Sequence, residues 1–272
     1  VFFVNRLFAF TNLSIKEHPK GVSVVVDHVP GKRKSVTVVE RHVNNTYEQG
    51  AIASRELSIF RSGKLKGTAI LLTDFKDSSR SPSYMLRLPV INKTRVIEIS
   101  DTNETWGGTV FTYAEMLPSN PDQEQHELLG TRTFKACLSS IVVPQRKKPR
   151  GIAVPDQPVC DHRGKLVYLL KSKPQPQINW YDYRISHVDT TSFADYRTEY
   201  YKDGSIIKIV DRDWRAVSSH DPRALQWHHV YGKDFVTGHE TYIVVPEAAV
   251  SVNTDKNEAF WTEESLKSIQ IK

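Results

Sequence analysis

Apolar and polar side chains alternate with a period of two along most of the chain, the pattern of strands that bury one face. Residues 21–43, GVSVVVDHVPGKRKSVTVVERHV, write two β-branched runs around Pro30-Gly31 and read as a hairpin. Residues 56–60, 68–72 and 84–88 follow as further strands, and 95–99 alternates Arg-Val-Ile-Glu-Ile. The second half repeats the habit over 165–170, 178–188, 192–201, 206–214, 225–231 and 239–245, with Lys202-Asp203-Gly204-Ser205 as a tight hairpin turn. Connections this short permit antiparallel neighbours, whereas parallel strands need crossover helices. Helical writing is confined to the first ten residues, a turn or two after Phe111, and 262–269. There Thr262 is a good N-cap, and Glu263, Glu264 and Ser265 suit the positive end of the helix dipole.

Composition sets bounds on this picture. With 272 residues, 39% of them hydrophobic and 10% aromatic, the chain has enough apolar material for a substantial core. No run of about 18 apolar residues is present to span a membrane as a helix. The chain starts at Val1, and the expectation is that a signal peptide has been removed ahead of it.

The net charge is +6, much of it in Lys32-Arg33-Lys34 and Arg146-Lys147-Lys148. Such runs suit anionic lipid surfaces or solvated loops. Nucleic acid is not expected as a partner, because zinc spacing, RNA-binding aromatics and a recognition helix are all missing. Cys137 and Cys160 are the only cysteines, and they bracket a segment rich in proline and basic residues. In an oxidising compartment they would close that loop, worth about 3 kcal/mol on chain entropy. In a reducing one they would be two free thiols, and two cysteines do not identify the compartment. The expectation carried forward is a bridge.

Catalytic grammar is absent: there is no nucleophile elbow, phosphate loop, His-Glu-x-x-His or Cys-x-x-Cys. The nearest metal set is His228-His229 with His239 and Glu240, but neighbours on a regular strand point to opposite faces, so no metal or cofactor is expected. Asp182, Asp189, Asp195 and Asp211 lie among aromatics without a spacing that predicts a shared acid–base site. The chain is not expected to be an enzyme.

Four stretches carry a resemblance: LKGTAILL (65–72), MLRLPVINKTRVIEI (85–99), GGTVFTYAEML (107–117) and FWTEESLKSI (260–269). In this order and spacing the chain resembles the LolA-like outer-membrane lipoprotein-sorting family, in the branch found beside RND-superfamily transporters. Members carry a Lys-Gly-Thr-Ala strand, a Trp-x-Tyr-Leu-Pro strand leading to a basic strand, a Gly-Ser-Asp-Phe-Thr-Tyr-Glu-Asp loop and a closing Phe-Thr-Glu-Glu-Ser-Leu. Here Met85 and Arg87 replace the Trp and Tyr, the basic cluster is thinned to Lys93 and Arg95, and the loop acids become Val110 and Ala114 with Glu115 retained. The stretch at about 144–164 reads as an insertion in a single carrier-like domain of residues 1–272.

The resemblance implies a mainly β fold with a few helices, an incomplete (half-closed) antiparallel β-barrel whose helical lid encloses an apolar cavity. It implies a periplasmic carrier of lipid or lipoprotein acyl chains in outer-membrane lipoprotein or lipid trafficking. The alternative is an accessory module of an envelope transporter of RND type, and an outer-membrane acceptor is a further candidate partner. In that frame Gly107 and Gly108 turn the backbone at the cavity mouth, and Trp106 and Tyr113 frame the entrance. Phe111 points into the cavity with the 68–72 and 84–88 strands as neighbours, and Leu72 and Met85 belong to the same apolar site.

Overall fold

The computed structural model describes residues 1–16, 23–47, 49–77, 79–89, 93–97, 103–116, 120–143, 157–175, 180–217, 220–254 and 256–269. Fifteen strands form one antiparallel sheet: β1 (Asn12–Ile15), β2 (Ser23–His28), β3 (Ser35–Asn44), β4 (Ile52–Phe60), β5 (Ala69–Phe75), β6 (Ser83–Leu88), β7 (Lys93–Ile97), β8 (Glu124–Thr133), β9 (Leu166–Pro174), β10 (Tyr183–Asp189), β11 (Asp195–Lys202), β12 (Ser205–Ala216), β13 (Leu225–Asp234), β14 (Glu240–Val244) and β15 (Val250–Val252). The order across the sheet is β7-β6-β5-β4-β3-β2-β14-β13-β12-β11-β10-β9-β8, so two meanders meet at β2 and β14 and the edges β7 and β8 stay apart. β1 pairs with β3 beyond the end of β2, opposite Arg41 to Asn44, and β15 pairs with β1. Among the described residues there are three short α-helices, α1 (Phe2–Asn5), α2 (Tyr113–Met116) and α3 (Glu263–Ser268), besides single 3-10 turns.

The hairpin turns follow their residues. Asp203 (φ 49°) and Gly204 (φ 76°) both take the left-handed conformation that a two-residue β11–β12 connection demands. Thr262 caps α3 by accepting from the Ser265 N–H at 3.3 Å. The first ten residues hold less helix than their pattern suggests. α1 stops after Asn5, Leu7 turns left-handed at φ 57°, and the chain then runs through turns to Phe10.

Two neighbouring side chains show how strongly the sheet curls. Asn5 Nδ2 donates to Asp195 Oδ1 on β11 at 2.8 Å, and Arg6 pairs with Asp74 on β5 while donating to Ser54 Oγ on β4 at 2.9 Å. β5 and β11 stand seven strands apart. In a flat sheet that is about 34 Å at the usual strand spacing, far beyond the reach of adjacent residues. The sheet therefore wraps the N-terminal segment as an open half-barrel. Among the described residues, register shifts at Ile52/Ser54, Leu128/Gly130, His187/Val188, Tyr200/Tyr201 and Asp213/Trp214 mark β-bulges that supply bend and twist.

Both faces of the sheet are covered in places. On the inner face Val4, Leu7, Phe10, Phe60, Ile70 and Phe111 belong to the main core. On the outer face Leu57, Ile59, Ala69 and Leu71 pack under Trp261 and Leu266 of the C-terminal segment, while Val24, Val26, Tyr231, Tyr242 and Val244 pack under Ile141 and Val143. Cys137 and Cys160 are joined, with sulfurs 2.01 Å apart, and the Leu138–Val159 bridge pairs the chain beside them. Of the basic runs, Lys32 and Arg33 are exposed at the β2–β3 turn, and Arg146-Lys147-Lys148 lie outside the described residues.

Candidate functional site

The segment 106–116 crosses the inner face and is hydrogen-bonded to β12 and β14. Gly107 (φ 59°) and Gly108 (φ 76°) make a turn that non-glycine residues rarely adopt. That turn lets the Trp106 N–H donate to the Phe111 carbonyl at 2.7 Å. Thr112 and Glu115 form a capping box on α2: the Thr112 N–H donates to Glu115 Oε2 (2.7 Å) and the Glu115 N–H to Thr112 Oγ1 (3.2 Å). From the sheet, Thr241 Oγ1 on β14 accepts from the Val110 N–H at 2.9 Å. Lys208 Nζ on β12 donates to the Val110 carbonyl and to Glu115 Oε2, both at 2.6 Å. Gly232 on β13 makes room for the crossing, since a Cβ there would stand 2.6 Å from Val110 Cγ1 and 2.7 Å from Phe111 Cε1.

Sequence reasoning places the cavity mouth at these aromatics, and in the structure they pack against the sheet. Phe111 is 1% exposed. Trp106 lies against Phe60 with ring centroids 5.6 Å apart, and Tyr113 meets Tyr84 edge-on at 5.2 Å. Leu72, Trp106 and Tyr113 share only a small void of about 20 Å³. Met85 packs on the outer face with the cluster of Leu71 and Trp261, because Tyr84 and Leu86 hold the inward positions of β6.

A cavity of about 370 Å³, within the range of small-ligand sites, lies on the other side of α2. The N-terminal segment (Val1, Phe2, Asn5) and α2 (Ala114, Glu115) cover it, and Leu170, Ser186, Tyr200 and Arg212 from β9 to β12 form its floor. None of the seven residues expected at the ligand site lines it. Its charges are paired across the walls: Arg184 with Glu124, Arg212 with Asp195, and Glu115 with Lys208. Burial would lower Arg184, but Glu124 beside it holds the guanidinium above its ordinary range. Burial also pushes the Tyr200 phenol well above its ordinary value. Two polar atoms here lack a hydrogen-bond partner, Glu115 Oε1 and Arg184 Nε. The sequence signal for this site is polar side chains at core-facing parity: Ser186, Thr198, Lys208 and Arg212 are all buried.

The aspartates among aromatics do not gather. Asp182 pairs with Lys202, Asp189 accepts from the Thr191 and Ser192 N–H groups, Asp195 holds Arg212, and Asp211 holds Arg197. His239 pairs with Asp27 and Glu240 with His28, so neither shares a site with His228 and His229.

No family model matches the chain, and no curated protein sequence matches it. Solved structures do. A domain from Vibrio parahaemolyticus named for outer membrane lipoprotein sorting aligns at TM-score 0.69 and 14% identity over 94% of this chain and 91% of its own. A DUF1329 family protein from Desulfovibrio piger aligns at 0.71 and 12% identity, covering 97% and 94%. A LolA superfamily protein from Nitrosomonas europaea aligns at 0.53 and 10% identity, covering 93% and 90%. The chain thus has the open half-barrel fold of the LolA-superfamily structures. Among the described residues no helix is long and apolar enough to cross a membrane.

Proposed function

We propose that this protein is a periplasmic carrier that holds acyl chains of a lipid or lipoprotein in the cavity beneath α2 and the N-terminal segment. The observation that carries this reading is the 370 Å³ cavity inside the half-barrel, in a fold shared with a domain named for lipoprotein sorting. Phe2, Ala114 and Leu170 give an acyl chain apolar contact, and the pairing of every charge on the floor limits the cost of laying a chain over it. Glu115 Oε1 and Arg184 Nε supply an acceptor and a donor for a polar head. An inner-membrane RND-type transporter and an outer-membrane acceptor are the partners such a carrier would serve.

Native mass spectrometry of gently purified protein tests this, together with displacement of a fluorescent fatty-acid probe. An acyl-bearing ligand should co-purify, and Leu170→Trp, which fills the cavity, should weaken the probe at least ~10-fold. Probe binding unchanged by Leu170→Trp in a folded variant would remove the cavity from the account.

A second reading, an accessory module that docks on an envelope transporter, is favoured by the edge strand β8. Among the described residues β8 pairs on one side only, with β9, and it exposes Leu128 (61%) and Leu129 (43%). A sheet edge with exposed leucines can accept a partner strand. If the carrier reading fails and this one holds, the purified protein is empty and a Leu128→Lys variant loses a membrane partner that the wild type captures.

A further inference from the structure

On the outer face, across the sheet from the cavity, a β-bulge gathers histidines around one buried carboxylate. On β12 and β13, Asp213 is opposite His229 and Trp214 is opposite Trp227, leaving His228 as the extra residue between them. A regular strand would send His228 and His229 to opposite faces. The bulge turns both toward Asp213 instead: His228 Nδ1 stands 3.3 Å and His229 Nδ1 3.4 Å from Asp213 Oδ2. One ligand atom from each of the three residues lies within 4.8 Å of the others.

We propose that Asp213, His228 and His229 form a binding site for a divalent transition-metal ion of the Zn²⁺ class. Ligand atoms about 2.0–2.1 Å from a tetrahedral ion stand roughly 3.3–3.4 Å apart, which is the spacing of both imidazole nitrogens from Asp213 Oδ2. Two imidazoles and one carboxylate suit Zn²⁺, Co²⁺ or Cu²⁺ and not the oxygen-seeking Mg²⁺ or Ca²⁺. His229 is fully buried and its ring nitrogens lack a hydrogen-bond partner; an ion at Nδ1 would satisfy one of them.

The carboxylate is also held in place from outside the set. His162 Nε2 lies 2.7 Å from Asp213 Oδ1, the oxygen the ion would not use, and the His162 ring stacks on Tyr196 at 4.1 Å. His162 follows Cys160 by two residues, so the disulfide tethers this positioning residue over Asp213. A cavity of about 130 Å³ that His228 and Arg215 line lies beside the set. Arg215 is the competing charge, with Nε 3.0 Å from Asp213 Oδ2, and its Nη2 already pairs with Asp161 at 2.9 Å. Uptake of the ion requires Arg215 to keep the second contact and release the first.

The test is Co²⁺ titration of the chelator-stripped full chain, with Zn²⁺ as competitor. The wild type should take up about one equivalent with the visible absorption of a four-coordinate site. His228→Gln should weaken binding at least ~10-fold. His239→Gln, which alters a different histidine–carboxylate pair, should leave it unchanged. No Co²⁺ uptake by the wild type, or wild-type affinity in His228→Gln, overturns the site. X-ray absorption of the Zn²⁺-loaded wild type decides without any variant: two imidazoles in the first shell support the site, and fewer than two overturn it.

Discussion

Lys208 Nζ lies 2.6 Å from Glu115 Oε2, and both side chains are almost completely buried between the sheet and α2. Lys208 also holds the Val110 carbonyl, so one ammonium fastens two points of the crossing segment to β12. Removing one partner of a buried pair strands the other charge. Lys208→Met should therefore cost about 3–5 kcal/mol. The double variant Lys208→Met/Glu115→Gln should recover most of that loss, because a neutral amide replaces the stranded carboxylate. Urea unfolding of both variants measures the difference.

Gly232 and Gly108 serve the same segment for different reasons. A methyl at Gly232 collides with Val110 and Phe111, so Gly232→Ala should cost about 1–3 kcal/mol through overpacking. At Gly108 a Cβ would meet open space, and the cost of Gly108→Val comes from φ 76°, again about 1–3 kcal/mol. Gly108→Asn should separate the two, since Asn tolerates the left-handed region and should fall well below the valine variant in thermal unfolding.

Phe111→Ala should behave as a core truncation, losing about 3–5 kcal/mol, because the ring is buried against the sheet and does not line the 370 Å³ cavity. In the surviving folded fraction, affinity for a fluorescent fatty-acid probe should stay at the wild-type value. A variant that keeps stability and changes ligand preference would return Phe111 to the cavity wall.

His42 makes stability fall in acid. Burial, with Lys256, Lys16 and Arg61 adding to it, lowers this histidine from 6.5 to about 3. Its Nδ1 sits 2.9 Å from Ser14 Oγ, and Phe260 meets the ring edge-on. Between those two values the unfolded chain binds a proton that the folded one does not. The neutral-histidine contribution is thus complete above about pH 6.5 and is lost progressively toward pH 3, by up to about 1.4 kcal/mol per pH unit. Denaturant unfolding from pH 7 to 4.5 should show a shallower decline for His42→Gln than for the wild type.

Period-two alternation by itself determined the antiparallel meanders, because a half-buried strand must alternate whatever it packs against. Thr262 as a cap, Asp203-Gly204 as a turn and the glycine pair at 107–108 were legible for the same local reason: each is dictated by the backbone of its own few residues. β1 and β15 escaped because four and three residues are too short to show a period. β8 escaped because an exposed edge strand has no apolar face to alternate.

Tertiary structure decided which face looks inward and where the sheet breaks step. Alternation distinguishes two faces without naming them, and here both are covered, so Met85 sits under the C-terminal segment as readily as Tyr84 sits inside. A single bulge shifts parity by one, which brings His228 and His229 together at Asp213 against the strand rule. The 370 Å³ cavity depends on the curl that lets Asn5 and Arg6 touch strands seven places apart, a long-range closure that no local spacing of residues encodes.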